Sequence, residues 1–274
     1  MKNIIISLFA LIVAGCTKTT QDLNPYLDIP VVQAFLSPGV IPEVSLTRVY
    51  YFSDEDADTL NYINNALVYL INDSLSFQLQ ESDDTNGIYF YDGQDLVIKP
   101  DDNYSIVFDY KNTEVSSTTE IPNKPEDYKL SDDVVSLPRI LEGETYGGMP
   151  SVTEIEFTWT NNTNDYFLVN IQYLEDVYDP VNANIVIEDP ATAANFTSSP
   201  IQDAYYSIRT RQFQYFGSYN AIIMSIPTEY AELYESLNQS SLDGLAETKT
   251  NVINGKGIFT SFNTDTLQIE VKPQ

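Results

Sequence analysis

Residues 152–173 read VTEIEFTWTNNTNDYFLVNIQY. Ile155, Phe157 and Trp159 alternate with Glu154, Glu156 and Thr158. A period of two sends one set to each face of a strand, here apolar inward and charged outward. NNTND is a run of turn formers, and YFLVNIQY then returns as a second strand rich in aromatic and β-branched residues. Working outward, the same short pattern recurs. Before this hairpin come VVQAFL, VSLTRVYYF, ALVYLIND, LSFQLQ, GIYFY, LVIKP and YSIVFDY, separated by turns such as DDTNG and KPDDN. After it come YYSIRTRQFQYF, YNAIIMSI and DTLQIEV. Repeated short strands at this spacing predict an all-β chain built of β-sandwiches.

IPNKPEDY, residues 121–128, carries two prolines and several charges and reads as a boundary. The expected division is an N-terminal β-sandwich over 30–122 and a second β domain over 128–274. A strand with Trp, a short polar turn and an aromatic-bearing strand resembles the fibronectin type III hairpin, so both domains are expected to be immunoglobulin/fibronectin III-like. One helix is expected, near 228–238. Tyr230, Leu233, Tyr234 and Leu237 fall at i, i+3, i+4 and i+7. Thr228 is placed to cap it and Glu229 suits its first turn. Packing on the β domain is preferred over a partner-binding helix.

The chain starts MKNIIISLFALIVAGC. Lys2, the apolar run Ile4–Val13 and the small residues before Cys16 form a signal peptide over 1–16. The run is shorter than the ~20 apolar residues that a membrane span needs. Val13, Ala14, Gly15 and Cys16 resemble the lipobox of bacterial lipoproteins. The resemblance implies cleavage before Cys16, a diacylglyceryl group on its sulfur, and a further acyl chain, such as palmitate, on its amine. Two such signals make an anchor stable. Residues 17–29 read as a flexible tether, spanning roughly 20 Å.

Cys16 is the only cysteine, and histidine is absent. A disulfide, a Ser-His-Asp triad and a histidine-ligated zinc site are thereby excluded. The chain has 13 Lys and Arg against 40 Asp and Glu, for a net charge of −27. Cleavage removes Lys2 and no acid, which leaves −28. Such acidity argues against nucleic acid, whose phosphates need a basic footprint. Asp54, Asp56 and Asp58 alternate as calcium ligands do, but an EF-hand would need Gly and Glu where Thr59 and Asn65 stand. A solvated acidic loop is the default, and no cofactor is expected. INGKGIFTS lacks the phosphate-loop spacing and reads as a turn that needs glycine. Tyr205, Tyr206, Arg209, Arg211, Phe213 and Tyr215 form a candidate partner surface, since Tyr and Arg are enriched at interfaces; the alternative is an ordinary strand pair. Thr59, Ser74 and Thr266 stand in Asp-Ser/Thr-Leu triplets that resemble the O-glycosylation signal of exported Bacteroidota proteins.

Several segments together resemble one family. They are the lipobox, NNALVYLIND, GIYFYDGQDLVIKPDDNYSIVFDY, EIPNKP, the Trp-bearing hairpin, the late Tyr-rich helix and INGKGIFTSFNTD. The resemblance is to the Bacteroidota outer-membrane lipoproteins of domain of unknown function 4249. Gly255, Gly257, Phe259 and Phe262 stand where that family has a glycine pair followed by aromatics. The resemblance implies an accessory lipoprotein of the outer membrane; the expected location is the cell surface in preference to the periplasmic face. It implies a TonB-dependent SusC-like barrel or another outer-membrane complex as partner, and no catalytic residues. The expected function is therefore non-enzymatic, in ligand capture or outer-membrane assembly. A stand-alone glycan- or calcium-binding module is the alternative, and a hydrolase ranks last.

Overall fold

The computed structural model describes residues 28–49, 61–144, 153–243 and 248–274. The first eight strands are β1 (Ile29–Leu36), β2 (Glu43–Val49), β3 (Tyr69–Asn72), β4 (Leu75–Gln78), β5 (Gln80–Glu81), β6 (Ile88–Phe90), β7 (Asn103–Tyr110) and β8 (Thr113–Glu120). Then come β9 (Glu126–Leu130), β10 (Val134–Leu137), β11 (Glu154–Thr160), β12 (Tyr166–Tyr173), β13 (Asp179–Pro180), helix α1 (Pro190–Ala194), β14 (Phe196–Thr197) and β15 (Tyr205–Arg209). The chain closes with β16 (Tyr215–Ile226), helix α2 (Thr228–Asp243), β17 (Lys256–Ser261) and β18 (Asn263–Pro273).

These strands build two β-sandwiches, as the alternation predicts. In the first, a sheet ordered β17-β1-β2-β6-β5 faces one ordered β4-β3-β7-β8. Their inward residues share one core, with Val32, Leu36 and Leu46 from one sheet and Leu70, Ile106 and Phe108 from the other. Burying each such side chain contributes about 1.5–3 kcal/mol. In the second, a sheet ordered β10-β18-β16-β12-β14, with β13 paired to the start of β16, covers β15-β11-β9. Its core holds Ile155, Phe157 and Trp159 from the opening hairpin, with Val169, Ile171, Tyr219 and Ile269.

The boundary near residue 128 needs correction. Residues 251–261 do not join the second sandwich. β17 pairs in parallel with β1, from Val31 beside Lys256 to Leu36 beside Ser261. Val252 and Phe259 lie in the first core. The chain therefore crosses between the sandwiches three times: after Ile121, between Ile226 and Asn251, and at Phe262, which alone separates β17 from β18.

Three local expectations also change. LVIKP is not a strand. Ile98 is buried and Val97 accepts a hydrogen bond from the Tyr104 hydroxyl (3.1 Å), so the segment plugs the end of the core and joins no ladder. YYSIRTRQFQYF is broken by a 3-10 turn at Thr210–Gln212. Thr228 is the first helical residue and not the cap; the carbonyl of Pro227 accepts from Tyr230 (3.2 Å) and Ala231 (3.3 Å). Ala231, on α2, packs with Leu168 and Ile226, and Tyr230 meets Phe262 edge-on at 5.0 Å.

Where the described chain begins, the Asp28 carboxylate accepts from the Tyr110 hydroxyl (2.6 Å) and from Lys111, and pairs with Arg48 (3.2 Å). Burial opposes the charge on Asp28. The hydrogen bonds from Lys111 and Tyr110 and the charges of Arg48 and Lys111 outweigh it, and hold the carboxyl below its ordinary value of 3.8. A lowered folded value gives a contribution that is complete above the unfolded pKa and lost as pH falls through the folded one. Asp28→Asn is expected to cost about 1 kcal/mol at neutral pH and almost nothing near pH 2, as read by urea unfolding. Equal losses at both pH values would refute the assignment.

Candidate interaction surface

The six residues of the expected partner strip do not share a surface. Tyr205 is 61% exposed, and Arg209 and Arg211 are exposed. Arg209 lies beside Glu154 across β15 and β11, with 3.5 Å between Nε and Oε1. Tyr206 is half-buried against Phe157, at 6.2 Å between ring centres, and burial pushes its phenol pKa up. Phe213 and Tyr215 are buried in the second sandwich. The 3-10 turn is the reason. It lies between Arg209 and Phe213, so the alternation of β15 does not carry into β16.

What Phe213 and Tyr215 build is an aromatic nest at the start of β16. Tyr173 stacks on Tyr178 at 5.4 Å and 18°, and also meets Tyr215 at 5.9 Å and Tyr219 at 4.9 Å. Phe213 meets Tyr219 at 5.0 Å. Such tilted and offset pairs add to the value of their burial. The Tyr173 hydroxyl donates to the carbonyl of Phe216 (2.8 Å), and that of Tyr219 donates to Tyr215 (2.8 Å). Burial pushes the Tyr219 phenol far above its ordinary range. The Arg139 guanidinium lies 4.4 Å over the Phe216 ring and forks onto both carboxylate oxygens of Asp179 at 2.5 and 2.7 Å. The hydrogen bonds and charge of Arg139 keep Asp179 ionised below its usual range, although partial burial opposes this. A planar fork and a ring face together hold this corner in one geometry.

Two loops close over the nest. Ile140 donates to Val181 (3.0 Å) and accepts from Ala183 (2.9 Å). The Asn184 side chain accepts from Gly143 (2.8 Å) and donates to Leu141 (3.1 Å) and Glu144 (3.0 Å). These loops carry Leu141, Leu174, Val177, Ile185 and Val186, all exposed, with Val177 at 76% and Val186 at 91%. Apolar side chains scattered singly are normal; here five stand on two loops that hydrogen bonds join. The sequence reading missed them. The available signal is YLEDVYDPVNANIVIEDP, where apolar residues recur without any strand or helix period.

Other expected sites fall variously. Val13, Ala14, Gly15, Cys16, Asp54, Asp56, Asp58 and Thr59 lie outside the described residues. Among the described residues, no group of three or more acidic, His or Cys side chains is placed to hold a metal ion. Ser74 is exposed at the β3–β4 turn and Thr266 is exposed on β18. A cleft of about 430 Å³ runs between the sandwiches, lined by Asp101, Glu120, Asp165, Tyr166 and Glu229. There Glu229 accepts from Thr119 (2.7 Å) and Asp101 from Asn123 (2.7 Å). Gly255 and Gly257 meet the backbone of β1 directly, and the loop between Asn251 and Phe259 has its polar groups turned onto the protein.

No protein-family model and no curated protein matches the sequence. Among solved structures, the chain is similar to the FN1-FN3 domains of chicken CNTN1, at 10% identity over 73% of this chain and 62% of that one, with a TM-score of 0.28. It is also similar to Escherichia coli alpha-2-macroglobulin activated by porcine elastase, at 8% identity over 89% of this chain and 23% of that one, with a TM-score of 0.24. The native conformation of the same Escherichia coli protein matches at 8% identity over 89% of this chain and 16% of that one, with a TM-score of 0.24. This chain thus spans less than two thirds of the length of each. The fold is all-β, with two β-sandwiches and the helix α2 following β16, and its strand pairing defines it.

Proposed function

We propose that this chain is an outer-membrane lipoprotein, anchored through Cys16 at the cell surface, that serves as a non-enzymatic accessory subunit of a TonB-dependent SusC-like barrel. The observation that carries the reading is the pair of apolar loops over the aromatic nest. They lie at the Pro273 end of β18, the end remote from Phe262, since Leu137 pairs with Pro273 and Gly217 with Val271. The tether leads to Asp28, at the end of β1 that is likewise remote from Phe262. A lipid held at one extremity of the strand path and an apolar surface at the other suit a subunit that reaches from the membrane to a neighbouring protein. The abundant carboxylates keep the rest of the surface soluble.

Two experiments test this. Cys16→Ser is expected to move the protein from the membrane pellet to the soluble fraction, because serine offers no sulfur for the diacylglyceryl group and stable anchoring needs more than one acyl chain. Retention in the pellet would sink the anchor. Affinity purification from solubilised outer membrane is expected to recover a barrel with the wild-type chain. Val177→Asp with Val186→Asp is expected to reduce that recovery about tenfold or more, with unchanged thermal unfolding. Full recovery by the double variant would remove the loops from the interface.

A further inference from the structure

We infer that β1 and β17 form a mechanical clamp between the amino-terminal tether and the second sandwich. Three observations place the load. The chain enters β1 through Asp28, so tension on the preceding segment would act on β1 from its amino end. The chain following Ser261 passes through Phe262 directly into β18, so the share of a load on the second sandwich that this crossing carries, one of three, pulls on β17 from its carboxyl end. The two strands are parallel and in register from Val31 beside Lys256 to Leu36 beside Ser261. Tension therefore draws β1 one way and β17 the other, along their common axis.

In that geometry the ladder is loaded in shear, and its hydrogen bonds share the force. An antiparallel hairpin pulled at its open end would instead lose its bonds one at a time. β1 also lies inside its sheet, with β2 antiparallel on the other side from Ile29 beside Val49 to Phe35 beside Glu43. Sliding β1 out breaks both ladders together.

Each end of the clamp is pinned. At the loaded end of β1, Asp28 is held by Tyr110, Lys111 and Arg48. At the other end the Phe35 ring stacks on Phe262 at 5.5 Å and 17°, and the Phe262 amide donates to the Leu36 carbonyl (2.8 Å). β17 is fixed in turn to the opposite sheet. The Asn251 side chain donates to the Phe259 carbonyl (2.6 Å) and accepts from its amide (3.1 Å), while Ser117 donates to the Asn251 carbonyl (2.9 Å). The Ser261 hydroxyl donates to the carbonyl of Glu120 (2.6 Å). A subunit tied to lipid at one extremity and to a neighbour at the other would carry such a load in use. That use rests on the proposed anchor; the clamp is a property of the fold.

Single-molecule force spectroscopy on the unacylated chain from Cys16 onward tests the clamp, with the native Cys16 thiol as one handle. Forced unfolding is governed by the unfolding rate, so rupture force reads the barrier along the pulled direction. A second handle at Thr264→Cys loads β1 against β17 in shear. A second handle at Ile253→Cys, before β17, pulls the strands apart from their shared end. The first geometry is expected to rupture at severalfold higher force than the second. Phe35→Ala is expected to lower the first and leave the second unchanged. Equal rupture forces in the two geometries, with both variants showing wild-type circular dichroism, would overturn the clamp. Membrane release by Cys16→Ser is a separate measurement, so failure of the anchor and failure of the clamp are distinguishable.

Discussion

Gly257→Ala is expected to destabilise the first sandwich by about 3 kcal/mol or more. Gly257 has φ of +95°, a backbone conformation in which a Cβ is strained by itself. The Cβ would also stand 2.0 Å from the Val32 carbonyl oxygen and 2.9 Å from its carbon. Those are backbone atoms of β1 and cannot rotate aside, so β17 and β1 must separate. Gly255 is the milder case. Its Cβ would meet the Val252 side chain at 2.8 Å and the Pro30 oxygen at 3.0 Å, with no positive φ. Gly255→Ala is expected to cost about 1–2 kcal/mol. Hydrogen exchange at β1, β7 and β8 reads the effect, because these strands line the first core. Trp159 lies in the second core, so its fluorescence serves as the internal control. A Gly257→Ala protein whose β1 amides exchange as slowly as those of the wild type would refute this account of the glycine.

Phe259→Ala and Ile269→Ala are expected to act on different cores although they are close in sequence. Phe259 is fully buried in the first cluster and Ile269 is 1% exposed in the second. Truncating a buried Phe costs about 3–5 kcal/mol and a buried Ile about 2–5 kcal/mol, through lost transfer energy and the cavity left behind. Phe259→Ala is expected to speed exchange in β1, β2 and β7 while Trp159 fluorescence unfolds near its wild-type midpoint. Ile269→Ala is expected to shift the Trp159 transition first. If both variants shift both probes together, the sandwiches unfold as one unit and the crossover at Phe262 couples them. If Phe259→Ala moves only the Trp159 transition, the placement of β17 is wrong.

Much of the molecule follows from alternation alone. Glu154–Thr160 and Tyr104–Tyr110 carry an uninterrupted period of two, and the structure buries Ile155, Phe157, Trp159, Tyr104, Ile106 and Phe108 as that period requires. The all-β class needs nothing more, because which face of a strand is apolar is a local property. Helix α2 is legible from its 3.6-residue spacing and from Pro227 before it, although its packing is not: Ala231 is buried, Tyr230, Leu233 and Tyr234 are half-buried, and Leu237 at the end of the expected stripe is exposed.

The surface loops were not legible. Leu174, Val177, Ile185 and Val186 follow no period, and only the hydrogen bonds from Ile140 and Asn184 reveal that their loop and the one bearing Leu141 are joined. The strip from Tyr205 to Tyr215 looked like one surface because a single turn of 3-10 helix leaves almost no mark on the residue pattern. Gln212, whose side chain accepts from the Arg209 amide (2.9 Å), is its one local sign.

The larger gap concerns partners between strands. A half-buried strand announces its inner face, but not the sheet that it joins, because that choice is made by residues far away in the chain. INGKGIFTS reads correctly as a glycine-dependent turn and strand; its place beside β1 depends on Val32, Ser117 and Leu36, more than a hundred residues earlier. Local chemistry specified the strands and their faces, whereas the return of the carboxyl-terminal segment into the first core came from a pairing whose energy exists only once β1, β8 and the rest of the first sandwich are assembled around it.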